Sequence, residues 1–349
     1  MIIVTGAGGL IGSQAVEYFA DAGLDVVGID NNMRSYFFGK DGDVSSTISS
    51  LQTIKRYTHF DTDIRDFDLL KSIFKRYAGS ITAIIHCAAQ PSHDWACKEP
   101  ITDFSVNAMG TVNLLELCRQ YSPDAAFIFT STNKVYGDRP NYLPLVELET
   151  RWSIDPAHYY ALNGIDESIG LDNTLHSIFG ASKASADLMV QEYGRYFGMK
   201  TVCFRGGCLT GPNHQGTELH GFLSYLVKAC AREKNYTVFG YKGKQVRDNI
   251  HSYDLVCAFD HFIKDPRPGE VYNIGGGTYA NISMIEAINK IQDLSGKEMK
   301  YEISEKSRIG DHIWYVSDIR KFMNHFPGWK ITKSIDNILE EMVSKECEM

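Results

Sequence analysis

No stretch of the 349-residue chain reaches the roughly 18 consecutive apolar residues that a membrane-spanning helix needs. Lysine and arginine nowhere gather into a run. The 35 basic residues face 43 acidic ones, and the net charge of -8 argues against nucleic acid or a membrane surface as a partner. No CxxC pair occurs: Cys87, Cys97, Cys118, Cys203, Cys208, Cys230, Cys257 and Cys347 are scattered, mostly in apolar segments. They read as reduced thiols, neither a disulfide framework nor a metal site. Internal repeats and low-complexity tracts are absent as well. A hydrophobic content of 44% with 22% charged residues excludes the disordered and fibrous classes. From Met1 the chain runs straight into the strand-like Ile2-Ile3-Val4 and leaves no room for a signal peptide, so a soluble, cytoplasmic protein is expected.

What is present is an alternation. Short apolar runs at 2–4, 26–30, 83–87, 126–130 and 201–205 predict strands. Helix-period segments at 11–22, 66–77, 105–121 and 180–197 lie among them. Strands alternating with helices of this length predict an α/β fold with a parallel sheet. Residues 33–50 are polar and rich in glycine and serine, which predicts a loop. Residues 138–177 form a long insertion rich in Tyr, Asp and Glu, and long loops of this kind usually serve as lids or binding segments. Beyond about residue 206 the alternation weakens. We expect a first domain over 1–207 with a return segment near 250–276, and a smaller α/β substrate lobe over 208–249 and 277–349.

The first strand leads into Thr5-Gly6-Ala7-Gly8-Gly9-Leu10-Ile11-Gly12, where Gly6, Gly9 and Gly12 are spaced GxxGxxG before a helix. A pyrophosphate needs a tight turn, a backbone it can touch, and a helix N-terminus with free N–H groups. Asp30 closes the second strand, where a carboxylate can accept both ribose hydroxyls of NAD. An acid there disfavours the 2′-phosphate of NADP, with Arg34 nearby pulling the other way. Strand, glycine turn, helix, strand and acid together predict a doubly wound Rossmann sheet that binds NAD.

Further segments carry a resemblance. Asp63-Ile64-Arg65-Asp66, His86-Cys87-Ala88-Ala89, Asn107 with Gly110-Thr111-Val112-Asn113-Leu114-Leu115, and Ser131-Thr132-Asn133-Lys134-Val135-Tyr136-Gly137 are similar to motifs of the extended short-chain dehydrogenase/reductases. Arg247-Asp248-Asn249-Ile250-His251 with Asp254 resembles their RDxxHxxD segment, and Arg308-Ile309-Gly310-Asp311 their late nucleotide-clamping arginine. The likeness runs along essentially the whole chain, and it is closest to the CDP-paratose 2-epimerase (CDP-tyvelose epimerase) branch of the NAD-dependent nucleotide-sugar epimerases and dehydratases. Gly164-Ile165-Asp166-Glu167-Ser168, His176-Ser177 and Gly243-Lys244-Gln245-Val246-Arg247-Asp248 single out that branch. The resemblance implies a cofactor site made by Gly6, Gly9, Leu10, Ile11, Gly12, Asp30, Asn31, Arg34, Asp63, Ile64, Ala88, Ala89, Gln90, Asn107, Thr130 and Lys183. It implies a substrate site from Gln90, Thr132, Asn133, Arg205, Cys208, Arg247 and Arg308, although Cys208 stands where many relatives place a phosphate-contacting asparagine. It further implies a homodimer seamed by the helices at 105–121 and 180–197.

An epimerase of this kind oxidises a sugar carbon to a ketone and returns the hydride to its other face, so NAD is regenerated in place. The dehydratase and decarboxylase signatures after the catalytic Thr132 are absent, since Asn133-Lys134 follow. Epimerisation at C2 of a CDP-linked sugar is the leading expectation. A 4-epimerase, a keto-sugar reductase, or a binding protein with little turnover are the alternatives. The last stays open because the family's Tyr-xxx-Lys reads Phe179-Gly180-Ala181-Ser182-Lys183, and phenylalanine has no proton to exchange. Either Phe179 is an engineered Tyr→Phe substitution, or the chain recruits another base, for which His93 with Asp94, Lys134, and Tyr159 or Tyr160 are the candidates. A buried, satisfied histidine is the plainer reading of His86, and His251 too reads as structural.

Overall fold

The computed structural model describes residues 1–348 except 219 and 309. Ile309, within the late arginine segment, thus lies outside the described residues. The chain divides into two compact units: Met1–Val135, Ile178–Arg205 and Leu255–Tyr272 form the first; Tyr136–Ser177, Gly206–Asp254 and Asn273–Met349 form the second. The insertion therefore groups with the second unit, which corrects the expected first domain over 1–207.

The first unit is built on a seven-stranded sheet. β1 (Ile2–Thr5), β2 (Val26–Ile29), β3 (Tyr57–Phe60), β4 (Ala83–His86) and β5 (Ala126–Thr132) are joined by strands Thr201–Gly206 and Glu270–Ile274. Their spatial order is Glu270–Ile274, Thr201–Gly206, β5, β4, β1, β2, β3. β1 pairs in parallel with both β2 and β4, β2 with β3, and β4 with β5. The order reverses beside β1, and ligands of open α/β sheets bind at that switch point, outside the carboxyl ends of the strands. β1, β2 and β4 are buried along their whole length, which explains why their sequences are apolar without alternation. Ile3, Val27, Ile84, Phe127, Phe129 and Leu114 lie in the core that this sheet shares with its helices.

Helix Phe67–Tyr77 starts at a side-chain cap. Asp66 accepts from Leu69 N at 3.0 Å and opens Phe67–Tyr77, whose last turn carries Lys75 and Arg76. The expected loop at 33–50 is a correction: it holds helices Met33–Phe38 and Ser45–Leu51 around a short 3-10 turn, Gly39–Gly42. Buried Phe37, Val44 and Leu51 anchor it despite its polar composition. The second of these helices lies against the glycine turn, so a Cβ on Gly8 would fall 2.8 Å from Val44 Cγ2 and 2.9 Å from Ile48 Cγ1.

The second unit has its own core. Helices Phe222–Ala231, Met284–Ser295 and Ile335–Glu348 bury Leu226, Val227, Ile288, Ile291, Ile338 and Leu339 together. Strand Val246–His251 pairs with Asn281–Ser283 and, in parallel, with Trp314–Tyr315 and Cys208–Thr210. Ser283 and Glu286 form a reciprocal capping box that begins Met284–Ser295. Within the insertion, Leu145–Glu147 and Trp152–Ile154 make an antiparallel hairpin.

Candidate active site

The turn after β1 is shaped by contact distances that only glycine tolerates. Gly6 has φ +67, and a Cβ on it would lie 2.7 Å from Ala88 N, so the exits of β1 and β4 meet here. A Cβ on Gly12 would lie 2.0 Å from Gly6 O. Gly9 N donates to Gly6 O at 3.0 Å and closes the turn, and helix Leu10–Asp21 follows at once. The amides of Leu10, Ile11 and Gly12 belong to its first turn, which lacks intrahelical acceptors and carries the positive dipole end. Asp30 accepts from Gly8 N at 2.8 Å and from Asn32 N at 2.7 Å. Burial raises its pKa, and those two amides oppose the rise. Burial also draws the Arg34 guanidinium down to about 10 against the pull of Asp30, and Arg34 stacks 4.9 Å over Phe38. Asn31 donates to Asp63 at 3.2 Å; Asp63 is held by Arg65 at 2.7 Å, and Ile64 packs where a Cβ on Gly110 would be. The cradle fits a dinucleotide: bare backbone faces the turn, a helix begins there, and a carboxylate stands at the end of the next strand.

β5 ends beside the helix Ser177–Phe197, which carries Phe179 and Lys183 on one face at i and i+4 spacing. Lys183 Nζ donates to Thr130 O at 2.9 Å and sits 4.0 Å over the Phe129 ring. Burial pulls its pKa down to about 8, with Asp187 resisting. Thr130 Oγ1 donates to His86 O at 2.9 Å. Thr132, half-buried, accepts from Lys134 N at 3.2 Å, and Asn133 is buried beside it. His86 bonds Thr5 Oγ1 at 2.7 Å and Thr111 Oγ1 at 2.9 Å, and burial first, then the Lys183 charge, hold it neutral. It is a structural tie across β1, β4 and the following helix.

Phe179 is 6% exposed, and the His93 ring meets it edge to face, centroids 4.9 Å apart and planes at 74°. His93 opens the short helix His93–Ala96, capped by Ser92. Asp94 is exposed.

Two expected ligand contacts are spent inside the first unit. Gln90 is fully buried: its Nε2 donates to Ser92 O at 2.9 Å and Asp103 Oδ1 at 2.6 Å, while its Oε1 accepts from Ser92 N at 2.6 Å. Arg205 is 5% exposed, and its fork grips Asp187 at 2.7 and 3.1 Å. Both side chains hold the scaffold together. Asn107 extends the Gln90 network, reaching Gln90 O at 3.0 Å, Asp103 at 3.0 Å and Ser182 at 3.1 Å from a wide turn, Ser105–Met109, at the head of its helix. Asp103 and Asp187 were not singled out from sequence. The available signal was spacing, since Asp103 precedes Asn107, and Asp187 follows Lys183, by one helical turn.

In the second unit Arg247 donates to Asp311 Oδ1 at 2.5 Å and to Val246 O at 2.9 Å. Asp311 N donates in turn to Arg308 O at 3.2 Å, so one turn ties the two arginines together. Arg308 donates to Glu218 O at 3.2 Å and lies 4.5 Å over the Phe239 ring. Cys208 is half-buried and paired with Asn249 in the sheet. Burial raises the Asp248 carboxyl to about 6 although Ser317 and Gly277 amides donate to it. His251 bonds Glu341 at 3.0 Å. Among the described residues no group of three or more His, Cys, Asp or Glu is placed to hold a metal ion, and no helix is long and apolar enough to cross a membrane.

A dinucleotide-binding α/β enzyme, with a Thr and a Lys at the carboxyl end of β5, is the class that this fold and site define. Residues 2–275 match the NAD dependent epimerase/dehydratase family, and the chain belongs to it, with NAD as the cofactor. It is 30% identical to CDP-paratose 2-epimerase of Salmonella typhi over 93% of this chain and 92% of that protein. Human UDP-glucose 4-epimerase is 28% identical, covering 98% of this chain and 94% of the relative. Among solved structures, UDP-glucuronic acid 4-epimerase from Bacillus cereus, in complex with UDP-glucuronic acid and NAD, aligns with a TM-score of 0.79 and 25% identity over 99% of both chains.

Proposed function

We propose that the protein is a nucleotide-sugar epimerase that inverts C2 of a CDP-linked sugar through a transient keto-sugar. The Asp311 link, which accepts from the Arg247 guanidinium and donates its amide to Arg308 O, carries this reading, because guanidinium groups suit the oxygens of a diphosphate. The CDP and C2 assignments follow the Salmonella typhi relative. NAD, when bound in the glycine cradle, supplies a reversible two-electron acceptor. Gly6, Gly9 and the first amides of helix Leu10–Asp21 would hold its pyrophosphate, Asp30 its ribose hydroxyls, and Lys183 its nicotinamide ribose. The hydroxyl of Thr132 orients the reacting sugar hydroxyl, with Asn133 beside it. We assign the protein to the cytoplasm and infer a homodimer.

Calorimetry with CDP tests the diphosphate site. Arg308→Ala and Arg247→Ala should each weaken CDP binding more than about tenfold while sparing NAD, since a charge-assisted contact is worth about 1.5–3 kcal/mol. Undiminished CDP affinity in both variants would contradict the assignment. UDP bound more tightly than CDP would favour C4 inversion of a UDP-sugar, the reading that the human relative supports.

A further inference from the structure

For a sugar carbon to become a carbonyl, its hydroxyl must lose a proton, and Phe179 cannot take one. We propose that the imidazole of His93 is the acid–base group, accepting the hydroxyl proton when the carbon is oxidised and returning it when the carbon is reduced. The inference rests on the nucleotide-sugar epimerase reading. In the forward step the O–H bond breaks and its proton passes to the unprotonated imidazole nitrogen. The oxygen's electron pair becomes the carbonyl π bond, and the carbon's hydrogen leaves with its pair to the oxidised nicotinamide cofactor. Reduction reverses each transfer on the opposite face of the carbon.

Three observations support the placement. First, the His93 ring lies edge to face on Phe179, 4.9 Å between centroids, so an imidazole stands in contact with the ring that lacks the phenol hydroxyl. Second, the backbone that carries the ring is anchored on both sides. Before it, Ser92 accepts from Trp95 N at 3.2 Å, and the Ser92 amide donates to Gln90, which Asp103 and Asn107 hold in turn. After it, Trp95 is 7% exposed and packs 4.5 Å from Phe37 and 5.7 Å from Tyr36. Proton transfer requires a group fixed within hydrogen-bond reach of its substrate, and such anchoring provides it. Third, the same polar network reaches Ser182, whose hydroxyl donates to Phe179 O at 3.0 Å, so the histidine and the phenylalanine share one frame. Lys134 is the weaker candidate, because an ordinary lysine keeps its proton at neutral pH whereas imidazole exchanges it there.

His93→Ala in the NAD-loaded protein should lower turnover by about 10²–10⁴-fold with little change in KM. Added free imidazole should restore part of it, which a purely structural histidine would not allow. A second readout needs no turnover: carbethoxylation of His93, followed by peptide mass spectrometry, should be slowed by CDP-glucose but not by CDP. Phe179→Tyr in the His93→Ala background should recover activity by restoring a phenol. Full turnover by His93→Ala, or undiminished carbethoxylation while CDP-glucose is bound, would overturn the proposal and leave the epimerase reading standing. Failure of the unmodified protein to bind CDP-glucose or to turn over any nucleotide-sugar would overturn that reading, and the inference with it.

Discussion

Burial sets the chemistry of Lys183. Its ammonium is held by one carbonyl and one aromatic face in the core of the first unit, and its pKa falls to about 8. The folded protein therefore releases this proton before the unfolded chain does. Between about pH 8 and the ordinary lysine value near 10.4 the unfolded state binds more protons, so this group makes stability rise with pH across that window. Urea midpoints at pH 7.5 and 10 should show a gain on the order of 2–3 kcal/mol in the unmodified protein that Lys183→Met lacks. Equal pH slopes in both would contradict the buried, charged placement. Function should run the opposite way, because the Lys183 charge that we propose holds the nicotinamide ribose is lost above about pH 8. The geometry of the glycine turn, the place of Asp30 after β2 and the shared face of Phe179 and Lys183 were legible in the sequence, because a tight turn and an i, i+4 helical pair are local requirements. The assignments of Gln90 and Arg205 were not, because their partners Asp103 and Asp187 come from other elements.

At the scale of elements, the strands β1, β2, β4 and β5 are apolar runs that announced themselves. β3 did not, since Tyr57–Phe60 lies at the sheet edge with three of its four residues partly or fully exposed. Helices Met33–Phe38 and Ser45–Leu51 were hidden for a related reason: each is short, and single anchors such as Phe37 and Leu51 replace a periodic apolar face. Helix Ser177–Phe197 was plain from its pattern, but what locks it to the sheet was not. Asp187 on that helix accepts from Ser131 of β5 at 2.5 Å, from Gln191 at 2.7 Å, and from Arg205 of the next strand at 2.7 Å. Removing the carboxylate leaves a buried guanidinium uncompensated, which costs about 3–5 kcal/mol. Asp187→Ala should lower the denaturation midpoint accordingly and blunt catalysis by loosening the helix that carries Lys183. A stability within about 0.5 kcal/mol of the unmodified protein would show that the pair is not the lock described here.

At the scale of the whole molecule the chain forms two units: the first carries the glycine turn, Asp30 and Lys183, and in the second Arg247 and Arg308 both bond Asp311. The sequence reading kept residues 138–177 inside a first domain over 1–207, whereas packing groups Tyr136–Ser177 with the second unit. The substitution at Phe179 separates this chain from the pattern it otherwise follows, so the reaction itself needs direct observation. The NAD-loaded protein can be incubated with CDP-paratose in deuterium oxide and followed by NMR. Our account predicts that the C2 epimer accumulates with no solvent deuterium at C2, because the same hydrogen leaves that carbon and returns to it. Deuterium at C2, or no conversion at all, would contradict it.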